Sequence, residues 1–391
     1  MPLAHICTVL ASVAASLAAA DVQLSWQEQQ VNTPRPQPTL SASGCLVDPD
    51  TFLIFGGCTS SCCFSPVDTM WRYHLSNSRW SDVGAQQAGP RPSARFGATA
   101  VPMALDNDGA AGMLLFGGMD AVLGPQSDLW LYDSGTNEWR EVAPAANHSA
   151  PPPRSSHVAT IAPHGGTSYL VLHGGVGPFG VLRSDTWILP LTPRMESAQW
   201  RQARLTSESD APPARTDAAI SAADEDHGAL LLLVFGGADQ SGAVTDDTWR
   251  ADVTCRHADC QVTWARIEPA SAPPARHAHA LLLGTRTSPH QVLLVGGRSD
   301  TSDTAPFYND TWSFDTMTSE WHQLPNPAPS PPSRGFSVVS SGGIGAGGER
   351  EGVLFGGFGG FFGDVDDRLY NDVWRWSIGN TDAVGMVASD A

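Results

Sequence analysis

The sequence predicts an all-β chain built from six copies of one four-stranded unit. An apolar run ending in Gly-Gly occurs six times, at Gly56-Gly57, Gly117-Gly118, Gly174-Gly175, Gly236-Gly237, Gly296-Gly297 and Gly356-Gly357. The first glycines fall 61, 57, 62, 60 and 60 residues apart, the regularity of a repeat array. Each pair is followed about a dozen residues later by Asp-x-Trp: Asp68/Trp71 (one residue longer), Asp128/Trp130, Asp185/Trp187, Asp247/Trp249, Asp310/Trp312 and Asp372/Trp374. No segment sustains a 3.6-residue apolar period, which argues against helices.

Each unit is read in the same order. A Pro-rich linker, ending in Arg95, Arg154, Arg215, Arg276 or Arg334 in five units, leads into strand one. Strand two is the buried run before Gly-Gly, strand three carries Asp-x-Trp, and strand four carries a second Trp. That Trp is Trp80, Trp139, Trp200, Trp264 and Trp321 in the first five units. Gly-Gly permits positive φ and close approach of neighbouring backbone. The Trp side chains are apolar plates able to fill the wedge between twisted sheets. Proline keeps the linkers extended.

The sixth unit lacks a strand-four Trp, whereas the N-terminal DVQLSWQEQQ has a Trp with no unit of its own. The strand around Trp26 is therefore expected beside the strand around Trp374, closing the ring and removing an exposed edge. The competing closure uses Val384 to Ser389.

These features resemble the kelch family, and the resemblance covers nearly all of the chain after its first twenty residues. It implies a six-bladed kelch-type β-propeller with four antiparallel strands per blade. The period near 60 residues is longer than usual for that family, and the extra length lies in linkers and in loops after Gly-Gly. The shorter repeat and Gly-His and Trp-Asp marks of WD40 propellers are absent.

Residues 1–20 contain no Asp, Glu, Lys or Arg, and an apolar run ends in Ala18-Ala19-Ala20. This pattern predicts a cleaved signal peptide at 1–20, a propeller over 21–380, a C-terminal tail over 381–391, and a secreted or endomembrane-lumen location. The run is too short for a membrane span. A formal charge of −18 disfavours nucleic acid and anionic lipid as partners. All 22 basic residues are arginine, so Schiff-base lysine chemistry and a P-loop are excluded.

Six cysteines remain after the first twenty residues, an even number suited to export. Cys255 and Cys260 predict a local disulfide. Cys45, Cys58, Cys62 and Cys63 belong to unit one. A strained vicinal Cys62–Cys63 bond leaves two pairings involving Cys45, with a four-thiolate zinc site as the alternative.

Strand 2–3 loops and linkers emerge on one face, which is the expected binding face. Phe361 and Tyr370, beside Asp364, Asp366, Asp367 and Arg368, suit a sugar or peptide, or else pack the loop. The five linker arginines are expected as a partial ring near the channel, with Ser41 at the equivalent place in unit one. In kelch proteins that bind acidic peptides, arginines at such positions contact the ligand. The resemblance thus implies that these five receive a carboxylate or sulfate, the competing role being hydrogen bonds to backbone carbonyls. His157, His277 and His279 lie on strand one without the convergence a metal requires. Asp106 to Gly109 and Asp224 to His227 lack full EF-hand spacing and read as hairpin turns. Asn147 and Asn309 are glycosylation sequons.

No catalytic set, metal site or cofactor is predicted. The five tyrosines and the cysteines do not match the Tyr–Cys copper site of galactose oxidase. The iron motif of nitrile-specifier proteins and a Gly-x-Ser-x-Gly elbow are also absent. The resulting expectation is an extracellular binding module for a protein or glycan. The alternative is a carbohydrate-active isomerase, mutarotase or lyase using the channel, because a bacterial sialic-acid mutarotase resembles the same plan.

Overall fold

The structure, a computed structural model, describes residues 22–31, 34–60, 63–85, 89–106, 110–164, 166–207, 211–223, 230–256, 259–283, 290–302, 304–344, 350–360 and 368–380. Residues 1–20, expected as a signal peptide, the 381–391 tail with Val384 to Ser389, residues 107–109, Asp224 to His227, Cys62, Phe361 and the three neighbouring aspartates lie outside these residues.

Six antiparallel sheets follow one another around an axis. Blade one is Ser43–Leu46, Thr51–Phe55, Met70–His74 and Arg79–Asp82. Blade two is Thr99–Ala104, Ala111–Phe116, Leu129–Asp133 and Glu138–Glu141. Blade three is Val158–His164, Thr167–His173, Thr186–Pro190 and Arg201–Gln202. Blade four is Ala219–Ala223, Leu230–Phe235, Thr248–Arg256 and Asp259–Ile267, and Arg204–Leu205 adds a fifth, parallel strand. Blade five is Ala280–Leu283, Gln291–Val295, Thr311–Asp315 and Glu320–Leu324. Blade six is Val338–Ile344, Arg350–Phe355, Val373–Asn380 and, from the other end of the chain, Val22–Glu28. The first strands pack side by side around the axis.

Closure by the N-terminal strand is as the unmatched tryptophan predicts. Trp26 lies opposite Trp376, as Trp80 lies opposite Tyr73 and Trp139 opposite Tyr132. Leu24 and Trp26 are buried while Ser25 and Gln27 are exposed, the period-two pattern of a strand with one face on the core.

The wedge between blades is filled by a repeated contact. The strand-four Trp of one blade meets the side chain immediately before Gly-Gly in the preceding blade. The pairs are Trp80–Phe355, Trp139–Phe55, Trp200–Phe116, Trp264–His173 and Trp321–Phe235, with ring centroids 5.0–5.3 Å apart. Trp26 shares a cluster with Val295 in the sixth wedge. Each such aromatic buries enough surface to contribute roughly 1.5–3 kcal/mol.

Gly-Gly turns the chain at the end of strand two. The second glycine has φ near +100° and lies so close to strand one that a Cβ on Gly175 would sit 2.6 Å from His157 Cβ. Its N–H donates to the carbonyl of the residue entering the next blade, as Gly175 does to Arg215 at 2.9 Å. The motif therefore links blades as well as turning a strand.

Cys255 and Cys260 face each other at the end of the long blade-four hairpin and form a disulfide. A second disulfide joins Cys58 to Cys63 in blade one. The expected bridge through Cys45 is corrected: Cys45 is a free thiol buried on strand one among Leu53, Phe55 and Met113. It serves as a small apolar core residue, and burial pushes its thiol well above the usual range.

Candidate functional site

The five linker arginines are buried within their own blades. In each, one guanidinium nitrogen donates to a carboxylate oxygen of the Asp in Asp-x-Trp and to the carbonyl of the first glycine. The second guanidinium nitrogen donates to the other carboxylate oxygen. For Arg276 these contacts are Asp310 Oδ1 at 2.7 Å, Gly296 O at 2.9 Å and Asp310 Oδ2 at 2.8 Å. The indole N–H of the same motif, Trp312 Nε1, closes the set on Asp310 Oδ2 at 2.8 Å. Arg95–Asp128, Arg154–Asp185, Arg215–Asp247 and Arg334–Asp372 repeat it. Burial alone would raise the carboxyls of Asp185, Asp247 and Asp310, but the paired guanidinium and the indole donor hold all three below the ordinary aspartate value.

Of the two expected roles, ligand binding is therefore corrected, whereas hydrogen bonding to backbone carbonyls is present in all five, within a blade and with a carboxylate added. Their guanidinium groups are at most 3 % exposed and their charge is already matched. Tyr370, also expected to bind ligand, stacks 4.0 Å over the Arg334 guanidinium, as Tyr308 stacks over Arg276 at 4.1 Å. The blade-one counterpart is Thr39 rather than Ser41, because Thr39 O accepts the N–H of Gly357 as Arg95 O accepts that of Gly57. The histidines are likewise structural. His157 and His279 pack edge-on against Phe116 and Phe235 of the preceding blade. Burial, with the nearby Arg154, brings His157 down to about 3. Burial and Arg276 hold His279 well below its usual value.

Two residues beyond each clamp, or beyond Thr39, the chain reaches the channel mouth. Ser41, Gly97, Ser156, Asp217, Ala278 and Phe336 all have φ between +50° and +62°. The N–H of each donates to the carbonyl of its predecessor, and the N–H of Ser41 donates to Phe336 O, completing a closed circle at 2.8–3.1 Å. The circle rims a cavity of about 140 Å3. Its one acidic group is Asp217. Burial raises the Asp217 carboxyl against the opposing effects of His277 and the Ser156 and Thr216 hydroxyls. A larger cleft, about 570 Å3, lies away from this face between blades two and three. There the Arg140 guanidinium is committed to the Met195 and Arg194 carbonyls.

Around the mouth stand the strand 2–3 loops. Those of blades one to three carry Phe64, Val122, Leu123, Phe179 and Val181. Phe179 and Val122 are essentially fully exposed, at 104 % and 90 %. Among the described residues, the other exposed large apolar side chains are only Leu205 and Met317, both outside these loops. The loops are tied to one another: Gln240 of blade four accepts from Leu182 N and donates to Gly180 O in blade three, and Thr301 of blade five donates to Gly242 O in blade four. Asp120 Oδ1 accepts the N–H groups of Val122 and Leu123, presenting both side chains outward. Sequence reasoning looked to the blade-six loop and missed these tips. The available signal was apolar residues with no place in the strand pattern.

The KLHDC2/KLHL20/DRC7 Kelch-repeats domain matches residues 16–225 and 110–357. An F-box/kelch-repeat protein of Arabidopsis thaliana is 27 % identical over 300 residues, covering 72 % of this chain and 56 % of that protein. The Serine/threonine-protein phosphatase BSL2 of Arabidopsis thaliana is 29 % identical over 55 % of this chain and 19 % of its own length. The chain thus spans about half or less of these relatives. In shape it is similar to the solved structure of YjhT, with a TM-score of 0.58 and 15 % identity over 87 % of this chain and 95 % of that one. On its six Gly-Gly blades and on these matches, the chain belongs to the kelch-repeat family.

Proposed function

We propose that the chain is an extracellular protein-interaction module whose partner docks on the strand 2–3 loop face, across the apolar tips of blades one to three. The carrying observation is the grouping of five exposed apolar side chains on three consecutive loops around one channel mouth. A monomer rarely leaves such a group uncovered without an interaction purpose. The blade-one loop carries a disulfide, the blade-two tip is held by Asp120 and the blade-three loop is tied to Gln240, so little order has to be gained on binding. Kelch propellers generally serve protein interaction, and this face supplies an anchor of that kind. Protein is favoured over the expected glycan because the tips are aliphatic or Phe, whereas a sugar site needs convergent polar groups as well. The charge-free apolar N-terminus and the two disulfides support export. Exposed Asn147 and Asn309 are the sequons a host could glycosylate.

The test is binding by Val122→Ser/Leu123→Ser/Phe179→Ser alongside the parent against extracellular protein and glycan arrays. Protein partners held by the parent are expected to be lost by the variant. Equal binding by both, or binding to glycans alone, would sink the reading. N-terminal sequencing of the secreted product is expected to begin near Asp21.

A further inference from the structure

We propose that the partner presents lysine or arginine residues beside its apolar anchor, an inference that rests on the docking reading above. The loop face is divided in two. In blades one to three the acidic side chains are already engaged: Asp68 pairs with Arg91 at 2.9 Å, and Asp120 is 8 % exposed and bonded within its own loop. The described loops of blades four and five instead present Asp239, Asp246 and Asp300, with Asp217 at the mouth between the two halves.

Hydrogen bonds from Ser241 hold the Asp239 carboxyl below its ordinary value, and those from Ser302 do the same for Asp300, so both are fully ionised near neutrality. The cation of the same described loops, Arg298, is 2 % exposed, lies 5.4 Å from the Phe307 ring and donates to the Ser302 carbonyl. Its charge helps to lower Asp300 from within the loop, but its burial leaves the carboxylates as the charges these loops present at the surface. The bonds through Gln240 and Thr301 make the apolar and acidic halves one continuous rim. A ligand seated on the blade-three tip lies beside the blade-four loop bonded to it, so its flank meets the acidic half. There, acidic groups would be repelled by like-charge contact, whereas basic groups would gain orientation and a faster encounter. This assigns the partner a basic, amphipathic character.

Immobilised peptides combining Leu with Lys, with Glu or with Ser provide the probe, read with the labelled full chain at low and at physiological salt. The Leu/Lys peptides are expected to bind at least about tenfold more tightly than the other two sets, with salt weakening them most. Asp239→Asn/Asp246→Asn/Asp300→Asn keeps the loop-closing oxygens and is expected to weaken Leu/Lys binding about tenfold. Glu138→Gln/Glu196→Gln/Asp259→Asn, exposed away from this face and equal in net charge, is expected to leave it unchanged. Equal weakening by the two triple variants, or no preference for Leu/Lys, would overturn the proposal. The apolar-tip variant separates the two readings. If it abolishes binding while the acidic-loop variant binds as the parent does, docking on the tips stands and the basic partner falls.

Discussion

Blade one and the other five blades solve the same fastening problem with different chemistry. In blades two to six a buried arginine ties its linker to the glycine turn and to strand three through a bidentate carboxylate. In blade one both partners are gone: Thr39 stands at the arginine position, and Thr69 at the aspartate position, where its carbonyl accepts the N–H of Gly56. Asp68 has shifted one residue and pairs with Arg91 at the surface, both about 41 % exposed. In exchange, the blade-one loop carries the Cys58–Cys63 disulfide. Five blades are thus held by charge and one by a covalent bond, so the two classes should fail under different conditions.

The largest effect is expected from removing one half of a clamp. Arg276→Met leaves Asp310 with an unmatched, partly buried charge and should cost about 3–5 kcal/mol in denaturant unfolding. A loss under 1 kcal/mol would mean the clamps are ornamental. Acidification should come next. The depressed histidines, His157 and His173 at about 3, stay neutral in the folded chain while the unfolded chain protonates near 6.5. Stability should therefore fall as pH drops from about 6.5 towards 3, and His157→Phe should flatten that slope in thermal melts. The clamps shift in the same direction but act in a lower pH window. Their aspartates are lowered, so the stability they contribute is complete above the unfolded value of 3.8 and is lost only below it.

Cys58→Ser/Cys63→Ser should cost about 2 kcal/mol, the closure entropy of a short loop, and should raise proteolysis between residues 58 and 66 rather than elsewhere. The smallest effect is expected at Thr39. Its buried hydroxyl has no partner among the described residues, so Thr39→Val should change stability by under about 0.5 kcal/mol. The same structural position that is critical as arginine in blade five is close to silent in blade one.

Much of this was legible in the sequence because it repeats. Gly-Gly, Asp-x-Trp and the spare Trp26 specified blade number, strand order and closure, since each needs a residue type nothing else replaces. The arginines were legible as a set, and so was their bond to backbone carbonyls, but their aspartate partners were missed. Arg and Asp recur together and disappear together in blade one, and that joint loss was the signal of pairing. The channel-mouth circle was hidden because it is made of main chain, and residues as unlike as Gly97 and Phe336 serve it equally. The apolar tips were hidden for the opposite reason: they belong to no pattern.

Closure by Val22–Glu28 also sets a timetable for biosynthesis. Ser25 bonds to Ser377 across 352 residues, so Val22–Glu28 must wait for Val373–Asn380 to be made. At about 5–20 residues per second the wait is roughly 20 to 70 s. Throughout it, an amphipathic strand with a buried-type tryptophan remains without its partner. Blades one to five can form in order as they emerge, but the ring cannot shut until Val373–Asn380 has been made. The nascent chain therefore needs either protection for its leading strand or a rate of aggregation slower than a minute.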